Sequence, residues 1–215
     1  MTDRAALVTD GAGRIGRSIS LALHRAGYAV AIHAQHAGEA ETLRDEIVHA
    51  GGRACVVPAD LADHAVAEPV TAAAAALGPL SLLVNNAAHF APDEIGGTDA
   101  AGFDRQFAVN LRAPLLLAQA FAQRGGEGAV VNIVDRQGRP AADAVAYTLS
   151  RSALHAVTVT LAQALAPKVR VNAVACAHPM RSLDPEEIAA AVVYLSRAHS
   201  VTGVTLAVGG GSVPE

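Results

Sequence analysis

What most restricts this chain is an alternation, from end to end, of short apolar runs with helix-length segments. Strand-like runs occupy residues 5–9, 29–33, 54–57, 80–85, 129–134, 169–174 and 204–208. Amphipathic segments lie between them at residues 14–26, 38–50, 65–76, 103–122, 145–166 and 185–197. Repeated strand–helix–strand units with right-handed crossovers fold into a doubly wound parallel sheet. The runs are continuously apolar, as strands buried on both faces must be. Ala26-Gly27 and Ala50-Gly51-Gly52 end helices, and Asp184-Pro185 supplies an N-cap followed by proline at the first helical position. No linker, repeat or charge block divides the chain. The expected class is α/β, a single domain over residues 1–215 with about seven parallel strands and helices on both faces.

Composition narrows the function classes. Hydrophobic residues make up 52% but aromatics only 3%, which suits small-residue helices packed closely on a buried sheet. A formal charge of -4 leaves no basic footprint, so nucleic acid is not an expected partner. No uninterrupted apolar run reaches the ~18 residues of a membrane span. The N-terminus lacks the apolar core of a signal peptide. Cys55 and Cys176 are too few for a disulfide framework, and a reducing, cytoplasmic setting is expected.

In a doubly wound sheet the ligand lies at the carboxyl ends of the strands. The first run ends in Gly11-Ala12-Gly13-Arg14-Ile15-Gly16, a G-x-G-x-x-G turn opening a helix whose N-terminus suits a pyrophosphate. The second ends in Ile32-His33-Ala34-Gln35-His36 with no acid for a ribose 2′-hydroxyl; Arg14 and His36 instead suit a 2′-phosphate. Asp60-Leu61 follows the third run, where a carboxylate can accept an adenine amino group. Asn85-Asn86-Ala87-Ala88 follows the fourth, where small residues admit a ribose. These features predict a dinucleotide site, with NADP(H) preferred over NAD(H). The histidines His33, His36, His89 and His178 show no ligand spacing, and no metal site is expected.

Downstream, Tyr147-Thr148-Leu149-Ser150-Arg151 opens a long helix, so Tyr147 and Arg151 share a face. With Asn110 after Phe107-Ala108-Val109, Asp135 closing the fifth run, and Val208-Gly209-Gly210-Gly211, these residues resemble the short-chain dehydrogenase/reductase family over nearly the whole chain. The resemblance implies a Rossmann domain with an Asn-Ser-Tyr-Lys tetrad, in which tyrosine exchanges a proton while nicotinamide exchanges a hydride. Asn110 matches the helix-bending asparagine and Tyr147 the tyrosine. Asp135 falls at the serine position if the following loop is one residue shorter, and Arg151 replaces the lysine.

Within the family the chain is most similar to the pteridine reductases and their dihydrofolate- or dihydromonapterin-reducing relatives. That branch has aspartate at the serine position and R-[IL]-G in the glycine turn, matched by Asp135 and Arg14-Ile15-Gly16. Phe90 falls where its members stack an aromatic ring on the pterin, and His33 matches a histidine closing the second strand. The implied site has Asn110, Asp135, Tyr147 and Arg151 as catalytic residues and Phe90, Asp135 and Tyr147 on the substrate. The implied cofactor residues are Gly11, Gly13, Arg14, Ile15, Gly16, His33, His36, Asp60, Leu61, Asn86 and Ala87. A small planar heterocyclic, carbonyl or imine substrate and a homodimer or homotetramer follow from the same resemblance.

Three departures stand against full activity. Asp10 replaces the first glycine of the T-G-x-x-x-[GR]-x-G turn and sets a like charge beside the phosphates. Arg151 keeps the cation but stays protonated and presents a planar fork, so it does not replace lysine in a proton relay. After Arg170-Val171-Asn172, the run Ala173-Val174-Ala175-Cys176-Ala177-His178-Pro179 leads almost directly to Pro185, so the substrate loop is shortened after residue 174. Two alternatives to the reductase stay open: a non-redox cyclase- or dehydratase-like enzyme using Tyr147 and Asp135 as acid and base, and a catalytically impaired binding protein.

Overall fold

The computed structural model describes residues 4–97, 99–135, 143–176 and 184–209. Seven strands form one parallel sheet in the order β3-β2-β1-β4-β5-β6-β7. They are β1 (Ala5–Val8), β2 (Ala29–Ala34), β3 (Ala54–Pro58), β4 (Leu80–Asn85), β5 (Gly128–Asp135), β6 (Val169–Cys176) and β7 (Thr205–Val208). The strand order reverses between β1 and β4, which opens a crevice at their carboxyl ends. This is the single doubly wound Rossmann-like domain expected from the alternation.

The two faces are sorted residue by residue. Ala6, Val8, Val30, Ile32, Leu82 and Val84 pack against α1 (Arg14–Arg25), α2 (Ala37–His49) and α7 (Pro185–Arg197). Their strand neighbours Ala5, Leu7, Ala31 and Leu83 pack against α3 (Ala67–Ala75), α5 (Ala113–Gln123) and α6 (Val145–Leu165). Every residue of β1 and β2 is buried, which is why their sequences show no alternation. Helix ends follow the turn residues: Gly27 takes φ 92° and closes α1 while Tyr28 N–H donates back to Leu23 O. The Asp184 carboxylate accepts from Glu186 N at 3.0 Å and starts α7.

The predicted helix at 103–122 is three pieces. α4 (Ala100–Phe107) runs through one π-helical turn, Ala108–Arg112, into α5. Pro114 carries no N–H for the Asn110 carbonyl, so the regular ladder cannot continue past this point. Arg170-Val171-Asn172 is structural: the Arg170 guanidinium donates to Leu195 O, Ser196 O and Ala198 O at the end of α7. Asn172 ties β6 to Val201 and Val204.

Candidate active site

The glycine turn fits its motif in two places and departs in one. A Cβ on Gly16 would collide with the Asp10 carbonyl, and one on Gly11 would lie 2.9 Å from Val8 O, so both must be glycine for α1 to close on β1. Asp10 is the sole non-glycine at positive φ (50°) among the described residues, holding the backbone shape that glycine ordinarily supplies. Its carboxylate lies over Gly13, where a Cβ would be 2.5 Å from Oδ2. A side chain has in effect moved from position 13 to position 10. Burial, with Glu39 adding to it, raises the Asp10 pKa. The N-cap residue of α1 is Gly13, which has no side chain to cap the helix.

Thr9 and Asn86 hold this turn. Thr9 Oγ1 accepts from Asn86 N and Ala87 N, while Asn86 Nδ2 donates to Thr9 O and Asp10 O. The sequence places Asn86 on the cofactor; its side chain is instead spent on the turn that would hold one. Asn85 points into the core, donating to Asn132 Oδ1 at 2.8 Å.

A cleft with about 110 Å³ of water-accessible space runs from Asp10 past His33, Gln35, Asp60, Leu61 and Ala87 to His89 and Arg105. It brings His33, Asp60, Leu61 and Ala87 together as the sequence implies. His33, however, is no phosphate-binding cation. It is 3% exposed, its Nδ1 accepts from Asp10 N, and its Nε2 pairs with Ala59 O. Burial lowers its pKa to about 4, against a weaker upward pull from the Ala59 bond and Asp60. It ties β2 to the glycine turn and to the end of β3. His36 is exposed at the N-cap of α2, and Gln35 lines the cleft in its place. Arg14 opens α1 directly after the glycine turn.

The His33 shift carries a stability consequence with a definite sign. A folded pKa below the unfolded value means protons favour the unfolded chain, so the contribution is complete above pH 6.5 and is lost as pH falls toward about 4. The full shift corresponds to ~3 kcal/mol. Thermal denaturation between pH 7 and pH 4 should show a steeper loss in the native chain than in His33→Asn, which lacks the titration.

Arg105 gives no signal in the sequence. It reaches from α4 to Asp60 Oδ2 at 3.3 Å, while Asp60 Oδ1 accepts from Ala62 N. The Ala62 bond first, and Arg105 after it, hold the Asp60 carboxyl below its usual range.

At the other end, β5, α6 and the π turn carry the four predicted catalytic residues. Asn110 is fully buried; its Oδ1 accepts from His89 N at 2.7 Å and its Nδ2 donates to His89 O and Ser150 Oγ. Arg151, with a side chain 4% exposed, donates from Nε to Asp135 Oδ2 at 3.2 Å and from Nη2 to Ile133 O at 2.6 Å. Its Nη1 is buried and has no partner among the described residues. His155 Nε2 lies 2.9 Å from Asp135 O. The Arg151 guanidinium carbon is 5.9 Å from the Tyr147 ring centroid. Burial raises the Tyr147 pKa; Arg151 opposes this, and the Asp135 carboxylate raises it further through its charge and a hydrogen bond. Tyr147 is thus held as the neutral phenol. Phe90, 60% exposed, meets the Tyr147 ring edge-on with centroids 5.1 Å apart. Gly210, Gly211, His178 and Pro179 lie outside the described residues, as do residues 136–142 after Asp135.

Residues 4–180 match the family model for short chain dehydrogenase. An uncharacterised oxidoreductase of Mycobacterium tuberculosis is 35% identical over 98% of this chain and 92% of its own length. The L-xylulose reductase of Mesocricetus auratus is 33% identical over 98% of this chain and 97% of its own. Among solved structures, the FolM alternative dihydrofolate reductase 1 of Brucella suis, in complex with NADP, has a TM-score of 0.85 and 40% identity, covering 94% of this chain and 92% of that one. A short chain dehydrogenase of Burkholderia cenocepacia, also with NADP, reaches a TM-score of 0.91 at 28% identity and 98% coverage of both chains. A crevice at the strand-order reversal, a glycine turn at its floor and a tyrosine–arginine helix at its wall agree with these matches: the chain belongs to the short-chain dehydrogenase family of NAD(P)-dependent oxidoreductases.

Proposed function

We propose that the protein is an NADPH-dependent reductase of a small planar heterocycle, a pterin being the substrate class that suits the site best. The observation that carries this reading is the neutral Tyr147 phenol beside the exposed Phe90 ring. A phenol whose pKa is pushed upward stays protonated at working pH, so Tyr147 stands in the donor form, as a weaker acid than one poised near neutrality. The FolM likeness supports the same substrate class.

Gly11 and Gly16 let α1 close on β1, which brings the α1 N-terminus to the turn where a pyrophosphate would sit, and Asp60, Leu61 and Ala87 line the cleft that would take the adenosine. NADPH, when bound, supplies the hydride. Tyr147 holds the proton at its hydroxyl oxygen and gives it to the substrate atom that needs it. The nearby Asp135 carboxylate raises the Tyr147 pKa and so helps to keep the proton on the hydroxyl oxygen. Arg151 balances the Asp135 charge. Phe90 offers an apolar face to a flat ring. Asn110 fixes His89, and with it the start of the segment that carries Phe90.

The shortened substrate loop belongs to this reading. The match to the mycobacterial relative spans 243 aligned positions, more than the chain's 215 residues, so gaps fall in this chain. We further propose a homodimer or homotetramer in the cytoplasm; Cys55 and Cys176 are both free thiols, and no helix among the described residues is long and apolar enough to cross a membrane.

Titration with NADPH and NADP+, followed by nicotinamide fluorescence and thermal shift, tests the reading, with dihydropterins, dihydrofolate and L-xylulose offered afterwards as substrates. Binding at micromolar cofactor with oxidation of NADPH by a pterin is expected. Asp10→Gly should tighten NADPH about five- to tenfold by removing ~1 kcal/mol or more of like-charge repulsion. One observation favours a second reading, an impaired enzyme that binds without turnover: the Arg151 guanidinium is committed to Asp135 and Ile133 O. NADPH binding without oxidation by any of these substrates would favour it.

A further inference from the structure

Helix α6 carries Tyr147 three residues past its N-cap, yet that N-cap is Ala144, which supplies no side-chain acceptor. The missing acceptor comes from far upstream. Both carboxylate oxygens of Asp93 lie 3.2 Å from Ala146 N, the second amide of the helix. The Asp93 backbone adds a bridge: its N–H donates to Asp143 O at 2.9 Å, and its carbonyl accepts from Val145 N at 3.3 Å. A carboxylate here also suits the positive end of the helix.

The same segment, between β4 and α4, presents Phe90. Its beginning is pinned on the far side by Asn110 through His89 and by Gln106, whose Oε1 accepts from Ala91 N while its Nε2 donates to Ala91 O. Residues 89–93 thus span from the α4–π-turn wall to the first turn of α6. The edge-on contact of Phe90 with Tyr147 sits in the middle of that span. Neither ring is set by its own element alone. Their spacing depends on Asp93 joining the two.

We propose that Asp93 is a positioning residue that couples the Phe90 face to the Tyr147 hydroxyl, an inference that rests on the reductase reading for its kinetic arm. It acts through the α6 cap and touches neither substrate nor cofactor. A cap with no other role would be replaceable by a local one; a coupling residue would not.

The test uses that difference. Asp93→Ala keeps the backbone bridge and is expected to fold, with kcat for NADPH-dependent pterin reduction down about tenfold or more and KM for NADPH unchanged. Asp93→Asn keeps an acceptor and should restore kcat to within about threefold of the native value. Asp93→Ala/Ala144→Ser supplies a local cap and should recover Tm without recovering kcat. The chain has no Trp, so Phe90→Trp introduces a single fluorescent reporter that needs no turnover. Emission from the introduced indole should shift to the red in the Asp93→Ala background and return with Asp93→Asn. Recovery of kcat by Ala144→Ser, or indole emission indifferent to Asp93→Ala, overturns the proposal. If no substrate is turned over, the reductase reading fails and the fluorescence series still decides this one. Should Asp93→Ala not fold, Asp93→Asn and the Ala144→Ser double variant carry the same comparison.

Discussion

Arg151→Met is expected to cost about 3–5 kcal/mol of stability, the range for breaking one side of a buried ion pair. The Asp135 side chain is only 20% exposed, so loss of the guanidinium leaves its charge uncompensated in a poorly solvated place. The Ile133 carbonyl loses its 2.6 Å donor in the same step. Urea denaturation at neutral pH measures the loss. Removing both charges in Arg151→Met/Asp135→Leu should recover much of it, because an apolar pair needs no desolvated partner. Arg151→Lys separates stability from catalysis. Lysine gives up the planar fork and the Ile133 bond, so stability falls, while a flexible ammonium is free to approach the Tyr147 hydroxyl and turnover rises. Unchanged stability in Arg151→Met would contradict the ion-pair geometry.

Tyr147→Phe is expected to lower kcat about a hundred- to ten-thousandfold, the usual worth of a positioned general acid. NADPH affinity should stay as it was, since the phenol does not line the cleft proposed for the adenosine. The pH profile follows from the direction of the shift. Burial and Asp135 together outweigh Arg151 and hold the phenol protonated beyond its ordinary value of 10.0. The donor form therefore persists through neutral and mildly alkaline pH, and reduction should show no alkaline limb from Tyr147 up to about pH 10. Steady-state rates from pH 7 to pH 10 check this; a fall centred near neutrality would mean that the cation controls the phenol after all.

The fold is legible in the sequence because its signals are local. Continuous apolar strands, Gly27 and Gly51 after helices, and the Asp184-Pro185 start each state a backbone requirement within a few residues. The candidate site is legible where a motif fixes a position: Arg151 pairs with Asp135 beside Tyr147, and Asn110 joins the same helix through Ser150. It is not legible where a side chain's role depends on distant partners. His33 reads as a cation beside a phosphate until Ala59 and Asp10 are seen to take both ring nitrogens. Arg105 and Asp93 give no local pattern, because Asp60 and Ala146 lie 45 and 53 residues away. The π turn is hidden since its apolar spacing still resembles one helix; Pro114 is the available sign.

The central claim is that a neutral Tyr147 donates the proton in an NADPH-dependent reduction. Stopped-flow mixing of the NADPH-loaded protein with a quinonoid dihydropterin, followed by nicotinamide absorbance, tests it most directly in the native chain and Tyr147→Phe. The account predicts rapid NADPH oxidation by the native protein and almost none by Tyr147→Phe at equal cofactor occupancy. Equal rates in the two proteins, or no NADPH bound at millimolar concentration, would contradict it.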